Sequence, residues 1–432
     1  MLARPKAKHS RIGENDSHYC YVGSMARYET DTDVCILGAG PHGLAAAVHL
    51  RKADPDLRIT VLDPSGEWLS GWNKQFAQAE IEMLRSPVVH HPGPDAYALS
   101  DYIDDHDLPR TGFKYDLPTR DAFDQFCRSL IEDAALDPPV ASAAHAIVSR
   151  GNELTIEAKE ATLSARHLVV ATNSHRRKIP DWAWPLVGHQ PGLVKHGNDV
   201  DLPSLLDLAG ERIAVVGAGL TAAHLALGAA SRGASVQLLF RGPLNVRAFD
   251  TAPGWLGPRY LAGFDAEPNP TRRLAIAQRV LSGGSIPDWM FTRLTEFDGA
   301  GHITLRESTE VQRCEPPTGT GCELHLSDGH AVGVDRVWLA TGTQANPHAL
   351  RCLRPLLADV GDVHGYPLLN EQLRLGPHRA FMMGRSAMLM LGPAAGNLWG
   401  AQRAAHRITL AITGVDLARK KAAWIHAPTS NN

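Results

Sequence analysis

An α/β fold carrying two similar strand–turn–helix units is what the sequence predicts, and three features carry that reading. Asp33 to Leu50, DVCILGAGPHGLAAAVHL, passes from a buried-type apolar strand through a glycine turn into a helix. Arg212 to Leu227, RIAVVGAGLTAAHLAL, repeats the pattern. Each unit is followed by a meander and an apolar strand ending in Ala-Thr, first ARHLVVATN at 165–173 and then DRVWLATG at 335–342. The organisation is therefore duplicated within the chain.

In the first unit Val34 to Leu37 is the strand, and Gly38, Gly40 and Gly43 fit G-x-G-x-x-G, with Pro41 and His42 inside the motif. The first glycine suits a tight turn, the second a close backbone approach to a pyrophosphate, and the third helix-on-strand packing. Unpaired N–H groups at the helix start, together with the helix dipole, favour phosphate there. A second strand, Leu57 to Leu62, leads to Asp63, an acid about 20 residues beyond the glycines and placed to accept ribose hydroxyls. Strand, turn, helix, strand and acid together predict a Rossmann-like dinucleotide site.

The remaining elements follow in order. Residues 1–30 are polar and without periodicity, which predicts a disordered leader, and Met25 is a second candidate start. Pro64 to His91 has no clean helix or strand period and carries Trp68 and Trp72, so it reads either as a wrap around a bound cofactor or as a well-packed surface excursion. Its polar groups Arg85, His90 and His91 are the candidate substrate or cofactor contacts, and so the candidate catalytic residues. Asp95 to Ile103 and Thr119 to Asp133 read as helices, and Ala144 to Ala171 as a meander turning at Arg150-Gly151-Asn152. In the second unit Gly217 and Gly219 are followed by Ala223 in the third glycine's place. The strand Ser235 to Phe240 then ends in Arg241 in place of an acid, and a guanidinium can pair with a 2'-phosphate, which favours NADP(H) over NAD(H). Pro243 to Met290 is a Pro-, Gly- and Trp-rich insertion. Finally Phe381 to Met383 reads as a short strand, and small residues up to Asn397 precede a helix from Leu398. Such a helix start lets backbone amides approach a flat ring system, and its positive end can stabilise an anionic reduced ring.

Length and composition bound the rest. A chain of 432 residues is long for one core and suggests two or three domains. With 44% hydrophobic and 21% charged residues and a formal charge of -3, nucleic acid is disfavoured as a partner. No apolar run nears the roughly 18 residues of a membrane span, so a soluble, cytoplasmic protein is expected. The six cysteines include no C-x-x-C, so neither a zinc ribbon nor a dithiol redox centre is expected. His90-His91 reads as a polar turn, and no metal site is expected.

Over about residues 31–415 the chain resembles the two-dinucleotide-binding-domain flavoproteins, and among them the flavin-dependent N-hydroxylating monooxygenases of the lysine/ornithine N-hydroxylase family. The resemblance implies a discontinuous FAD-binding Rossmann-like domain at 31–180 and 336–420, an inserted NADPH-binding Rossmann-like domain at 181–335, and a flexible tail at 421–432. It implies that Gly38, Gly40, Gly43 and Asp63 hold FAD and that Gly217, Gly219, Ala223 and Arg241 hold NADPH. Ala340-Thr341-Gly342 would mark the return to the FAD domain, Asn397 and Leu398 would lie beside the flavin ring, and Trp68 to Pro87 would cover flavin and substrate.

The implied reaction inserts one atom of O2 into a small nucleophilic substrate, an amine nitrogen foremost, through a flavin C4a-hydroperoxide. Homo-oligomerisation is left open. The chain departs from the family pattern in three places. It has no substrate lysine after a Met-Gln pair between Phe76 and Arg85; Gln190 and Val200 flank Gly192 and His196; and Arg385 follows Gly384 where disulfide reductases carry Gly-Asp. The alternatives are an NAD(P)H oxidase, a reductase passing electrons to a partner, and a flavin-binding regulator without turnover.

Overall fold

The computed structural model describes residues 28–418, apart from 114, 173, 189, 191 and 316–320. The leader up to residue 27 with Met25, the position of Asn173 and the tail at 421–432 lie outside the described residues. The first strand, β1 (Tyr28–Leu37), begins inside the stretch expected to be leader, because its first residues pair in register with Ala161 to Leu163.

A parallel sheet forms around β1. Val34 to Leu37 pair with β2 (Ile59–Asp63) on one side and, on the other, with the end of β6 (Ala161–Val170). The helix α1 (Pro41–Ala53) makes the crossover from β1 to β2. Beyond β2 lies β3 (Val140–Ala141), and beyond β6 the meander strands β5 (Glu153–Ala158) and β4 (Ala144–Arg150), giving the order β3-β2-β1-β6-β5-β4. Val34, Cys35 and Ile36 are fully buried, as a strand covered on both faces must be.

Between β2 and β3 the chain forms a helical cap of α2 (Ser70–Gln78), α3 (Ala98–Asp105) and α4 (Arg120–Asp133). The helix expected at Asp95 to Ile103 thus starts later, and α2 lies in a stretch expected to lack one. Thr119 caps α4 by accepting the Ala122 N–H at 3.1 Å, so the expected start of that helix holds. The cap packs Phe76, Leu84, Leu99, Phe123 and Phe126 onto Leu44 and Val48 of α1.

Crossing to the second sheet, the chain passes through β7 (His175–Arg177) and β8 (Val194–His196). There β9 (Arg212–Val216), the helix α5 (Leu220–Ala230) and β10 (Ser235–Leu239) repeat the first unit. The insertion contributes α6 (Pro258–Asp265) and α7 (Pro270–Val280), and the chain continues through α8 (Asp288–Gly299) into β11 (Ile303–Arg306). An antiparallel hairpin sheet of β12 (Val311–Glu315), β13 (Cys322–Leu326) and β14 (Ala331–Val334) covers one face, and β15 (Arg336–Leu339) completes the order β11-β10-β9-β15-β8.

Two boundaries differ from expectation. The strand of DRVWLATG is β15, and Val337 pairs with Ala214 of β9 and Val194 of β8, so it belongs to the second sheet. The chain leaves that sheet after β15, not at residue 336. Conversely, Phe264 of α6 and Leu274 and Ala277 of α7 are buried in the first core, although residues 181–335 were expected to form the inserted domain. The absent side chain of Gly392 permits this docking: a Cβ there would sit 3.0 Å from Leu261.

The return is through β16 (Thr343–Ala345), which pairs antiparallel with β7, so two short strands join the sheets as a hinge. After α9 (Arg354–Ala358), β17 (Asp362–Val363) and β18 (Tyr366–Pro367), β19 (Ala380–Met382) adds to β6 in parallel. The short α10 (Met388–Leu391) precedes α11 (Leu398–Thr413), which packs closely on α1 through small residues, Ala45 and Ala46 being buried with Ala401, Ala404 and Ala405. Among the described residues no helix is long and apolar enough to cross a membrane.

Candidate functional site: two glycine cradles across a hinge

At the end of β1 the chain turns at Gly38 with φ of +99°, and its N–H donates to the Leu62 carbonyl at 2.8 Å. A Cβ on Gly38 would lie 3.0 Å from the Ala171 carbonyl oxygen, and one on Gly43 only 1.9 Å from the Gly38 carbonyl oxygen. Those two glycines are required by the fold itself. Gly40 is different, since among the described residues a Cβ there would meet no atom within 4 Å. It is the N-cap of α1, no side chain caps that helix, and Pro41 occupies its first turn, so the free N–H groups face open space beside Gly40.

The walls of this space are polar. An oxygen of Asp63 accepts the Ala39 N–H at 3.0 Å, and the other accepts the Ser65 N–H at 2.9 Å, which pins the carboxylate to the turn. The Leu69 N–H donates to the Ala39 carbonyl at 2.8 Å, so the covering segment is bonded to the same turn. His42 Nδ1 and Thr172 Oγ1 are buried without a hydrogen-bond partner among the described residues. Burial pushes the His42 ring down to about 4, so it is neutral at pH 7. Opposite stand Gly384, 4.0 Å from His42 by its would-be Cβ, and the start of α11, where Asn397 accepts the Gly400 N–H at 2.9 Å and Leu398 is buried. An open glycine, free helix N–H groups, a carboxylate at the strand end and orphaned polar atoms all fit a dinucleotide.

The second turn is built alike. Gly217 has φ of +147°, and a Cβ on it would come 2.4 Å from the Ala340 carbonyl oxygen at the end of β15. Among the described residues only Gly284 lies near the would-be Cβ of Gly219, at 3.9 Å, so the backbone of the insertion forms one lip of this turn. Ala223 is buried in the second core. Arg241 is largely exposed, its Nε 4.0 Å from a Glu310 oxygen. Thr341 donates its hydroxyl to the Lys178 carbonyl, and the Gly342 carbonyl accepts the Lys178 N–H at 3.0 Å and lies 3.2 Å from His196 Nε2.

Sequence reasoning missed Lys178 and Gly284. Burial, followed by the charges of Arg385 and Arg241, holds the Lys178 ammonium below the usual lysine range, so three cations converge beside the hinge. Arg385 lies over Gly396, where a Cβ would sit 2.4 Å from its Cγ, and reaches toward the Thr343 carbonyl at 3.5 Å. Neither the hinge pairing nor the sheet order that brings these cations together is written in any local motif.

The covering segment divides its candidates. Arg85, expected to face substrate or cofactor, directs its guanidinium into the other domain: it donates to the carbonyls of Arg247, Ala248 and Ser285, to the Ser285 hydroxyl and to Asp250. His91, expected in the same role, is wholly buried; its Nδ1 accepts the Gly93 N–H at 3.1 Å and its Nε2 faces the Ala96 carbonyl at 3.4 Å. Both side chains are committed to the fold. The His90 ring has no hydrogen-bond partner among the described residues, and burial pushes it down to about 4. Trp68 donates its indole N–H to the Asp137 carbonyl at 3.1 Å, and Trp72 stacks on Phe76 with ring centroids 4.5 Å apart.

Buried histidines give the fold a pH dependence of definite sign. His42, His90, His91, His167 and His224 are pushed by burial to about 4, and His49 to about 3. An unfolded histidine titrates near ~6.5, so below that pH the unfolded chain binds more protons than the folded one. Stability is expected to be fully present above pH ~6.5 and to fall as the pH drops toward ~4. Urea midpoints at pH 7.5 and 5.0 test this, and equal midpoints would contradict it.

Comparison with known proteins places this geometry. The family model described as pyridine nucleotide-disulphide oxidoreductase matches residues 32–254, more than half of the chain. The chain belongs to the pyridine nucleotide-disulphide oxidoreductase family. Both glycine turns lie inside the matched span. A probable mitochondrial electron transfer flavoprotein-ubiquinone oxidoreductase of Schizosaccharomyces pombe is 38% identical over 61 residues, 13% of this chain and 10% of that protein, so the chain spans a tenth of this curated relative.

Among solved structures, the reduced ornithine hydroxylase of Pseudomonas aeruginosa is similar with a TM-score of 0.71 at 20% identity, covering 89% of this chain and 99% of that one. The FAD-bound cadaverine monooxygenase of Erwinia amylovora is similar with 0.72 at 17%, covering 90% and 95%. The ornithine N-hydroxylase of Kutzneria sp. 744, solved with reduced FAD, NADP+ and L-ornithine, is similar with 0.70 at 18%, covering 91% and 100%. At such identities these likenesses speak for the fold, and the α/β architecture with two Rossmann-like units is borne out.

Proposed function

We propose that this protein is an FAD- and NADPH-dependent monooxygenase that places one oxygen atom of O2 on a small nucleophilic substrate, foremost an amine nitrogen, in the cytoplasm. One observation carries the reading: two glycine cradles at the C-terminal ends of parallel strands, joined by a hinge, within a fold similar along almost its whole length to amine-hydroxylating enzymes. FAD, when bound, takes hydride from NADPH and activates O2 once reduced.

The chain's residues bind, orient and shield. The α1 N–H groups beside Gly40 would hold the FAD pyrophosphate, with Asp63 at the ribose and the amides at the start of α11, next to Asn397 and Leu398, at the ring. Gly217 and Gly219 would receive the second pyrophosphate beside Lys178, and Arg241 a 2'-phosphate. The covering segment, bonded to the first turn at Leu69, would keep water from the reacting atoms, and within it the neutral His90 ring would be the group left to meet substrate or cofactor.

The test is direct. The purified protein should be yellow, should bleach on anaerobic addition of NADPH, and with O2 should consume NADPH in step with hydroxylamine formed from ornithine, lysine or cadaverine. Peroxide released mole for mole with every amine would establish an oxidase instead, and bleaching that needs a partner protein to recover its colour would establish a reductase. Arg241→Ala is expected to weaken NADPH about tenfold, the effect of one exposed charge-assisted contact, and to leave NADH unchanged. Equal losses for both nucleotides would refute the phosphate-pairing role.

A further inference from the structure

Between the cap and the second domain lies a cavity of about 880 Å3, and none of its lining residues belongs to either glycine turn. The cap supplies Ile81 and Met83, from the segment after α2, and Phe113, from the connection between α3 and α4. His224, Leu227 and Gly228, at three- and four-residue steps, turn one face of α5 toward it, and Trp289 and Arg293, four apart, do the same on α8. Two nitrogens of this lining, His224 Nε2 and Trp289 Nε1, are buried without a hydrogen-bond partner among the described residues. Buried polar atoms are nearly always paired, so two orphans on the wall of one cavity call for a ligand. We propose that the cavity binds a small aromatic carboxylate, which bridges the cap and the second domain.

The chemistry of the orphans selects the ligand. An indole N–H can only donate, so the ligand atom at Trp289 is an acceptor. Burial, followed by the charge of Arg293, pushes the His224 ring down to about 4; it is neutral at pH 7, and its Nε2–H tautomer is a second donor. The charges agree. Arg232 holds Glu80 and Arg120 holds Asp121, which leaves Arg293 as a lining cation without an ion pair among the described residues. The exposed Glu82 opposes an anion, but from a position that water and salt screen. Phe113 and Trp289, with ring centroids 5.8 Å apart, form an aromatic wall across the domain boundary on which a flat ring can pack. The volume suits a small molecule.

Such a ligand acts on the junction of the domains. Met83 stands two residues before Arg85, and Trp289 four after Ser285, which the Arg85 guanidinium grips. A molecule that touches both walls favours the arrangement in which they face each other, so occupancy reinforces the contact that Arg85 makes and raises the melting temperature with ligand concentration.

Equilibrium dialysis of the full purified chain against 2-naphthoate, with FAD and NADP+ in excess, tests the proposal. The nucleotides block the glycine turns wherever these bind them, so the outcome does not depend on the monooxygenase reading. The expected result is saturable binding of a single equivalent per chain and a rising melting temperature. The neutral methyl 2-naphthoate and the cationic 2-naphthylmethylamine should each bind about tenfold more weakly or worse. Trp289→Phe and Arg293→Gln are each expected to weaken 2-naphthoate about tenfold, and Glu82→Gln to tighten it about twofold. The proposal is overturned if 2-naphthoate shows no saturable binding, if the ester or the amine binds as tightly, or if Trp289→Phe and Arg293→Gln both leave its affinity unchanged. The ranking of the three probes on the parent protein decides the matter even where a variant fails to fold.

Discussion

Gly40→Val is expected to fold as the parent does and to be purified without flavin. Gly40 has φ of -74° and ψ of -175°, backbone that any residue adopts, and among the described residues its would-be Cβ meets nothing within 4 Å. Urea unfolding of flavin-stripped protein should therefore shift by no more than about 0.5 kcal/mol. The added methyls would occupy the space that the α1 N–H groups face, where a pyrophosphate must come close to the backbone. Affinity for FAD should fall about a hundredfold or more, near ~2.7 kcal/mol. Gly43→Ala should behave in the opposite way. Its Cβ would overlap the Gly38 carbonyl at 1.9 Å, which must displace the turn and cost about 3 kcal/mol in the stripped protein itself. A yellow Gly40→Val protein would remove the first cradle from the account.

The contrast between those two glycines marks how far the sequence could be understood alone. The strand–turn–helix units were legible because each role is local: an apolar strand, a turn that tolerates positive φ, a helix start without a capping side chain. What depended on pairing at long range was not. DRVWLATG has the composition of a buried strand wherever it lies, and only its register with Val215 and Lys195 puts Trp338 in the second sheet. The α6 and α7 helices carry an apolar stripe that any core could bury, and it is Phe264 and Leu274 meeting the first core that decides their domain. The same holds for chemistry. Lys178 is an unremarked lysine until the β7–β16 ladder sets it beside Arg385 and Arg241. His91 could be read from sequence as a turn residue or as a substrate contact, and only the structure shows both its nitrogens met by backbone.

Arg85→Ala is expected to loosen the two domains from one another and, through the lip beside Gly219, to weaken the nicotinamide nucleotide. The Arg85 side chain is 9% exposed and makes five hydrogen bonds of 2.6–2.9 Å, all to residues 247–250 and 285. Removing it leaves three carbonyls without that donor, a loss of about 3 kcal/mol at about 1 kcal/mol each. Arg85→Lys should restore little, because an ammonium cannot reproduce a planar fork that reaches several acceptors at once.

The effect on the nucleotide follows from chain connectivity. Ser285 adjoins Gly284, the lip of the second turn, so the same guanidinium that joins the domains also fixes the backbone beside Gly219. A second interdomain ion pair, Arg232 with Glu80 at 2.6 Å, lies at the far end of α5 and is partly exposed; Arg232→Ala should cost about 1 kcal/mol and leave nucleotide affinity alone. Thermal melting and NADPH titration of both variants separate the two effects. A fall in stability with unchanged NADPH affinity would make Arg85 a brace between domains only, and no change in either would refute its interdomain role altogether.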